Sequence, residues 1–239
     1  MADEEQTPEA RRKRAAIAHH GRALSAMSRA SDSYALLLVL LLFDYLLLAG
    51  LSTSGLATLL RVPIVMLTLL LALHTSHAPP RFVAFARIAA GIVIASAVVF
   101  AVNDSQVLHG IVNLLVGILL VTSPFFILRR ILGHERVGTE TILGSLCVYV
   151  LIGITFASIF IAIDALGDIN FAAPANANNA PDLLYLSFIT LTTVGFGDVV
   201  AAHDFGRAVL VLEAVIGQIF LITLVARLVA MFGEAQRKG

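Results

Sequence analysis

Six long apolar stretches limit what this chain can fold into more than any other feature. They run roughly Tyr34–Leu51, Leu56–His74, Phe82–Val102, Val107–Leu128, Thr141–Ile163 and Phe205–Phe232. A helix rises ~1.5 Å per residue, so about 20 apolar residues cross the ~30 Å hydrocarbon core of a bilayer. A seventh apolar stretch, Leu183–Val194, is too short to cross and reads as a re-entrant segment. The composition agrees, with 13% of the 239 residues charged against ~25% in a soluble domain. That balance excludes an ordinary cytosolic enzyme and a nucleic-acid binder with a basic face. The single cysteine, Cys147, excludes an intrachain disulfide and a cysteine-based metal site. The histidines form no metal-ligand cluster in the sequence, and no nucleophile–base set lies in the spans. The expectation is a membrane protein, not an enzyme, without a cofactor.

The links Ser52–Gly55, Thr75–Arg81, Asn103–Gln106 and Arg129–Glu140 are short, so neighbouring spans run antiparallel. Of 16 Lys and Arg residues, 14 fall on one side of a six-span arrangement, and only Arg61 and Arg207 fall toward the other. Basic residues concentrate on the cytosolic side. Both termini are therefore expected in the cytosol. Asp164–Asp182, which has no Lys or Arg, is expected outside. Residues 1–33 carry Arg11-Arg12-Lys13-Arg14 ahead of the first span. A secretory signal would place ~7–15 apolar residues after a shorter basic segment. The segment therefore reads as an uncleaved cytosolic N-terminus whose basic cluster anchors the first span at the lipid surface.

The chemistry concentrates between the fifth and sixth spans. There the chain reads Pro181-Asp-Leu-Leu-Tyr-Leu-Ser-Phe-Ile-Thr-Leu-Thr192, then Thr193-Val194-Gly195-Phe196-Gly197-Asp198. Pro181 suits the first turn of a helix and Asp182 its positive end. About twelve helical residues span ~18 Å, half a membrane. The C-terminus of such a helix points at the bilayer centre with partial negative charge, which suits a cation. The two glycines that follow, at alternate positions, tolerate backbone angles closed to other residues. They allow an extended segment to turn successive carbonyls toward one axis. Irregular backbone at this depth is tolerated only where it is buried in protein or lines water.

Thr-Thr-Val-Gly-Phe-Gly-Asp resembles the selectivity filter of tetrameric potassium channels, which replace the hydration shell of K⁺ with rings of backbone carbonyls. The resemblance implies K⁺ sites formed by the carbonyls of Thr193, Val194, Gly195 and Phe196 and by the Thr193 hydroxyl. It implies that Gly197 shapes the outer mouth and Asp198 anchors the filter from behind, with Thr192 and Tyr185 as further supports. Gly206-Arg207 and Gly217 resemble the start and middle of the inner helices of this family. Gly217 would then be a gating hinge, and Gln218, Leu221 and Val225 would face a cavity below the filter. The likeness is specific over Pro181–Asp198 and extends across roughly 139–232. Three positions depart from the family pattern. Phe196 lacks a tyrosine hydroxyl, Ile189 is apolar where some relatives carry a Glu, and Tyr185-Leu186 stand where a Trp pair is common. Fewer hydrogen bonds around the filter are expected, with altered stability and retained K⁺ preference.

The fourth span, Val107–Leu128, contains no Arg, Lys, Asp or Glu. Each charge crossing the field is worth ~2.3 kcal/mol per 100 mV, so weak voltage dependence is expected. Asp44 and Arg61 lie about equally far from the outer turn and are expected to pair. Glu213 is expected to make a structural hydrogen bond behind the pore helix.

The resulting expectation is an all-α membrane protein with six transmembrane helices, a re-entrant pore helix and a filter loop. Residues 1–33 form a cytosolic basic segment, 34–128 a four-helix domain without gating charges and 129–140 a linker. Residues 141–232 form the pore domain and 233–239 a short tail with no room in this sequence for a ligand-sensing domain. One filter per chain calls for a homotetramer in lipid, conducting K⁺ passively, with 34–128 open to a regulatory partner and no nucleic acid. The alternatives are a weakly selective cation channel or a membrane subunit of a transport or regulatory complex. A bacterial plasma membrane is the expected location.

Overall fold

The computed structural model describes residues 33–47, 50, 55–76, 78–103, 105–132, 139–167, 171–174, 177 and 179–237. The basic cluster at 11–14, the outer turn at 51–54 and residues 133–138 of the expected linker lie outside them. Among the described residues there are helices α1 (Ser33–Leu47), α2 (Gly55–Thr75), α3 (Pro80–Asn103), α4 (Gln106–Leu132) and α5 (Thr139–Leu166). They are followed by α6 (Ala180–Leu191) and α7 (Asp204–Arg237). Two short strands, β1 (Ala172–Ala173) and β2 (Val200–Ala201), pair antiparallel with Ala172 opposite Ala201. Helices α2, α3, α4, α5 and α7 are each long and apolar enough to cross a membrane. The expected first span is described as the shorter helix α1. The chain is a multi-pass membrane protein, almost wholly helical.

Helices α4 and α5 are packed along most of their length, and glycines mark the contact at three depths. A Cβ on Gly110 would lie 2.5 Å from Leu166 Cγ, one on Gly117 3.2 Å from Ile159 Cγ1 and one on Gly144 2.7 Å from Ile131 Cδ1. Lipid tails are as apolar as the helices themselves, so close van der Waals packing on small residues holds such pairs together. The unit α1–α4 thereby rests on α5 of its own chain. Its Tyr45 also meets Phe188 of α6 edge-on, with ring centroids 5.1 Å apart.

Two arginines close helix ends at one side of the molecule. Arg130 donates to the Thr75 carbonyl at the end of α2 and lies over the Tyr34 ring, 5.9 Å from its centroid. Arg227 of α7 donates to the Ile131 carbonyl in the last turn of α4 at 2.9 Å. The last carbonyls of a helix lack intrahelical donors, and a cation there also opposes the macrodipole. Arg130 thereby ties α4 to α1 and α2.

Candidate functional site: the re-entrant loop

Helix α6 starts one residue before the position expected from the sequence and ends one residue short of it. Asn179 caps it: Oδ1 accepts from the Asp182 amide at 2.9 Å and Nδ2 donates to Asp182 Oδ2 at 2.7 Å. With Pro181 in the first turn, the entry is held by one side chain and a fixed φ. The carbonyls of the last turn are all engaged. Thr192 N donates to Phe188 O at 3.0 Å, Gly195 N to Ile189 O at 3.1 Å and Thr193 N to Thr190 O at 3.0 Å. Tyr149 Oη, from α5, donates to Leu191 O at 3.0 Å. Thr192 Oγ1 adds a bond to Phe188 O at 2.6 Å. The dipole of α6 keeps its negative end, but free oxygens for a cation must come from the residues that follow.

Those residues have an unusual backbone. Thr193, Gly195 and Gly197 have φ of 61°, 50° and 78°, whereas Val194 and Phe196 between them do not have positive φ. Left-handed and right-handed residues in alternation put successive amides on one side of the chain and carbonyls on the other. Glycine takes such angles freely. Threonine, branched at Cβ, does not, and holding it there costs about 1–3 kcal/mol. A threonine carries no signal of a left-handed angle, unlike the two glycines. The whole run Thr192–Asp198 is exposed within one chain.

Behind the loop, Tyr185 Oη donates to Asp198, 3.0 and 2.9 Å from its two carboxylate oxygens. The Tyr185 ring lies parallel to that of Phe196, 5° between planes and 6.4 Å between centroids. A tie from helix to loop is therefore present although Phe196 has no hydroxyl. The strands β1 and β2 brace the descending side, and Ala202 N donates to Phe171 O at 3.0 Å.

Helix α7 meets this assembly along one stripe. Glu213 is fully buried, and its Oε1 lies 2.5 Å from Ser187 Oγ of α6. Gly217 faces the end of α6, where a Cβ would stand 2.5 Å from Leu191 Cδ1 and 3.2 Å from Leu191 O. Phe220 stacks on Tyr149 at 6.1 Å. Gln218, Leu221 and Val225 are exposed within the chain, and α7 runs through Gly217 without interruption. Tyr149, Ser187, Phe220 and Asn179 were not singled out by sequence reasoning. Only Asn179 carried a signal, as a capping residue before Pro181.

Residues 147–234 match the family model described as an ion channel. This stretch is an ion-channel pore domain. The match bears out the resemblance carried by the filter heptad, and the family is not one of enzymes. No curated protein and no solved structure matches the chain. The pore domain as matched begins at Cys147 within α5 and takes in α6, the loop and α7 to Glu234. Helices α1–α4 lie outside it.

Beside the pore domain, the structure brings Asp44 and Arg61 together. Arg61 Nε lies 3.7 Å from Asp44 Oδ1, and Nη1 donates to Asn113 Oδ1 of α4 at 3.4 Å. All three residues are buried. A buried ion in lipid ordinarily finds a partner, and here one arginine joins α1, α2 and α4.

Proposed function

We propose that four copies of this chain surround one pore that conducts K⁺ passively and selectively down its gradient. The observation that carries this reading is the alternating left-handed backbone at Thr193, Gly195 and Gly197. Carbonyls of Thr193, Val194, Gly195 and Phe196, with the Thr193 hydroxyl, would take the place of water around K⁺. One chain supplies one quarter of such a ring. Two further features support completion by other copies. The loop is exposed, and beside it opens a cleft of about 530 Å³ lined by Ile189, Thr190, Gly195, Val199, Arg207 and Leu210 among others.

In this reading the apolar stretch Tyr34–Leu51 is one of six spans, both termini lie in the cytosol and the membrane is the bacterial inner membrane. Gln218, Leu221 and Val225 line the cavity below the filter, and α7 bends at Gly217 when the pore gates. Helix α4 carries no charge between Val107 and Leu128, so voltage acts weakly. Helices α1–α4 support the pore and offer a surface to a regulatory partner.

Purified protein in liposomes tests the proposal. The expected results are K⁺ flux without an energy source, reversal potentials that follow K⁺ when Na⁺ replaces it, and fourfold symmetry of the particle. A permeability ratio near one would favour a weakly selective cation channel, a reading that the missing hydroxyl at Phe196 supports. Flux only in the presence of another chain would favour a subunit of a larger transport complex.

A further inference from the structure

The junction of Glu213, Ser187 and Gly153 holds three oxygens in a row. Ser187 Oγ lies 2.5 Å from Glu213 Oε1 and 2.8 Å from the Gly153 carbonyl oxygen of α5. A serine hydroxyl carries one hydrogen, whereas a carbonyl and a carboxylate carry none. Were Glu213 ionised, that one hydrogen would have to serve both contacts. Whichever contact it left would set lone pair against lone pair. With a proton on the carboxyl, Glu213 donates to Ser187, Ser187 donates to Gly153, and both contacts are hydrogen bonds.

The surroundings point the same way. Glu213 Oε2 is buried without a hydrogen-bond partner, and among the described residues no arginine or lysine pairs with Glu213. A buried carboxylate in that setting loses its water and receives little in return. The ionisable side chain of α5 within electrostatic reach is Tyr149, whose hydroxyl is engaged by Leu191 O. On α6 the facing group is Ser187, and Tyr185 is taken by Asp198. On α7 itself, Arg207 is exposed and pairs with Asp204.

We infer that Glu213 works as an un-ionised carboxylic acid, the hydrogen-bond donor that fixes the pore helix between α5 and α7. It is a positioning residue for conduction: α7 enters the junction through Glu213, α6 through Ser187 and α5 through Gly153. Because α6 runs directly into the filter loop, the junction sets the register of that loop against the inner helix. This positioning role rests on the conduction proposed above, whereas the state of the carboxyl does not.

The test uses the full chain in liposomes as wild type, E213Q, E213D and E213A, read by infrared spectroscopy and ion flux. At neutral pH the wild type is expected to show the carbonyl-stretch band of an un-ionised carboxylic acid, and E213Q to lack it. Glutamine can donate to Ser187 and aspartate is too short to reach it. E213Q should therefore keep the flux and cation preference of the wild type, while E213D and E213A lose about tenfold in flux, the effect of one buried hydrogen bond. An ionised Glu213 in the spectrum overturns the inference. So does an E213Q protein as impaired as E213A beside an active E213D. Were the wild type to conduct nothing, the proposed conduction would fail, and the band would still decide the state of Glu213.

Discussion

Helices α5 and α7 are both long apolar spans of the pore domain, yet the chain covers them very differently. Within their apolar windows, 67% of α5 is buried inside the chain against 11% of α7. Helix α5 has α4 along one side and α6 on another. Helix α7 touches its own chain chiefly through Glu213, Gly217 and Phe220, whose spacing of four and three returns to one helix face. Its other faces carry Val211, Leu212, Ile219, Ile222 and Val229, all exposed. Equal apolarity therefore conceals unequal roles. Helix α5 is covered mostly by its own chain, whereas α7 leaves most of its apolar surface uncovered by it.

The largest expected effect lies on the covered side. Replacing Arg61 by Ala leaves Asp44 buried without its partner, a loss of about 3–5 kcal/mol for a broken buried pair. The unit α1–α4 should loosen and uncover α5. Cys147 reports this directly, because it is the only cysteine, fully buried, with Sγ 3.4 Å from the Tyr34 carbonyl of α1. R61A should therefore react with a thiol reagent that wild type excludes, and exchanging the two charges, D44R with R61D, should restore protection. Absence of any restoration would show that the two side chains do not act as a pair.

On the other side, the stripe of α7 is the place to strike. Gly217→Leu forces a side chain into Leu191, an overpacking cost of about 1–3 kcal/mol, and should abolish conduction while membrane insertion persists. Gly91→Leu on α3, where a Cβ meets nothing within 4 Å, should leave conduction intact. Equal behaviour of the two variants would erase the distinction between inner stripe and open face. Gly195→Ala comes next. Its Cβ also meets nothing within 4 Å, but its φ is +50°. The expected cost of about 1–2 kcal/mol per chain is conformational, and it should appear as lost ion flux with unchanged thermal stability of the spans.

Much of this architecture was legible in the sequence because bilayer thickness leaves few readings for a run of apolar residues. The boundaries of α2, α3 and α5 fall within a few residues of the stretches read from composition, since polar links mark them. Helix α4 continues to Leu132, past the charged pair Arg129 and Arg130, and Arg130 in its last turn donates to the Thr75 carbonyl of α2. The filter loop stood out because two glycines follow a half-length helix. Its threonine partner in the alternation did not, because nothing in a threonine announces a left-handed angle. Strands β1 and β2 were equally hidden: three of their four residues are alanine, and their pairing depends on α6 bringing distant segments together. Tyr149 and Phe220 sit in uninterrupted apolar runs, where an aromatic that links helices looks like one that faces lipid.

The smallest expected effect sharpens the comparison most, because it concerns the one hydroxyl through which α5 reaches the end of the pore helix. Tyr149→Phe keeps the ring and with it the stack on Phe220, 24° between planes. It removes only the donor to Leu191 O, the last carbonyl of α6. A neutral hydrogen bond of this kind contributes about 0.5–1.5 kcal/mol. Stability should fall by about 1 kcal/mol and assembly should persist. The freed carbonyl sits directly before Thr192 and Thr193, so ion flux should change by more than so small a loss of stability alone would produce. Thermal unfolding and liposome flux, measured on the same preparation, separate the two. If both move together by the same small amount, Tyr149 is one more packing contact of a well-covered helix. If flux moves further, α5 is the fixed post against which the filter is set, and α7, joined to the same ring of Tyr149 through Phe220, is the element whose displacement the filter would feel.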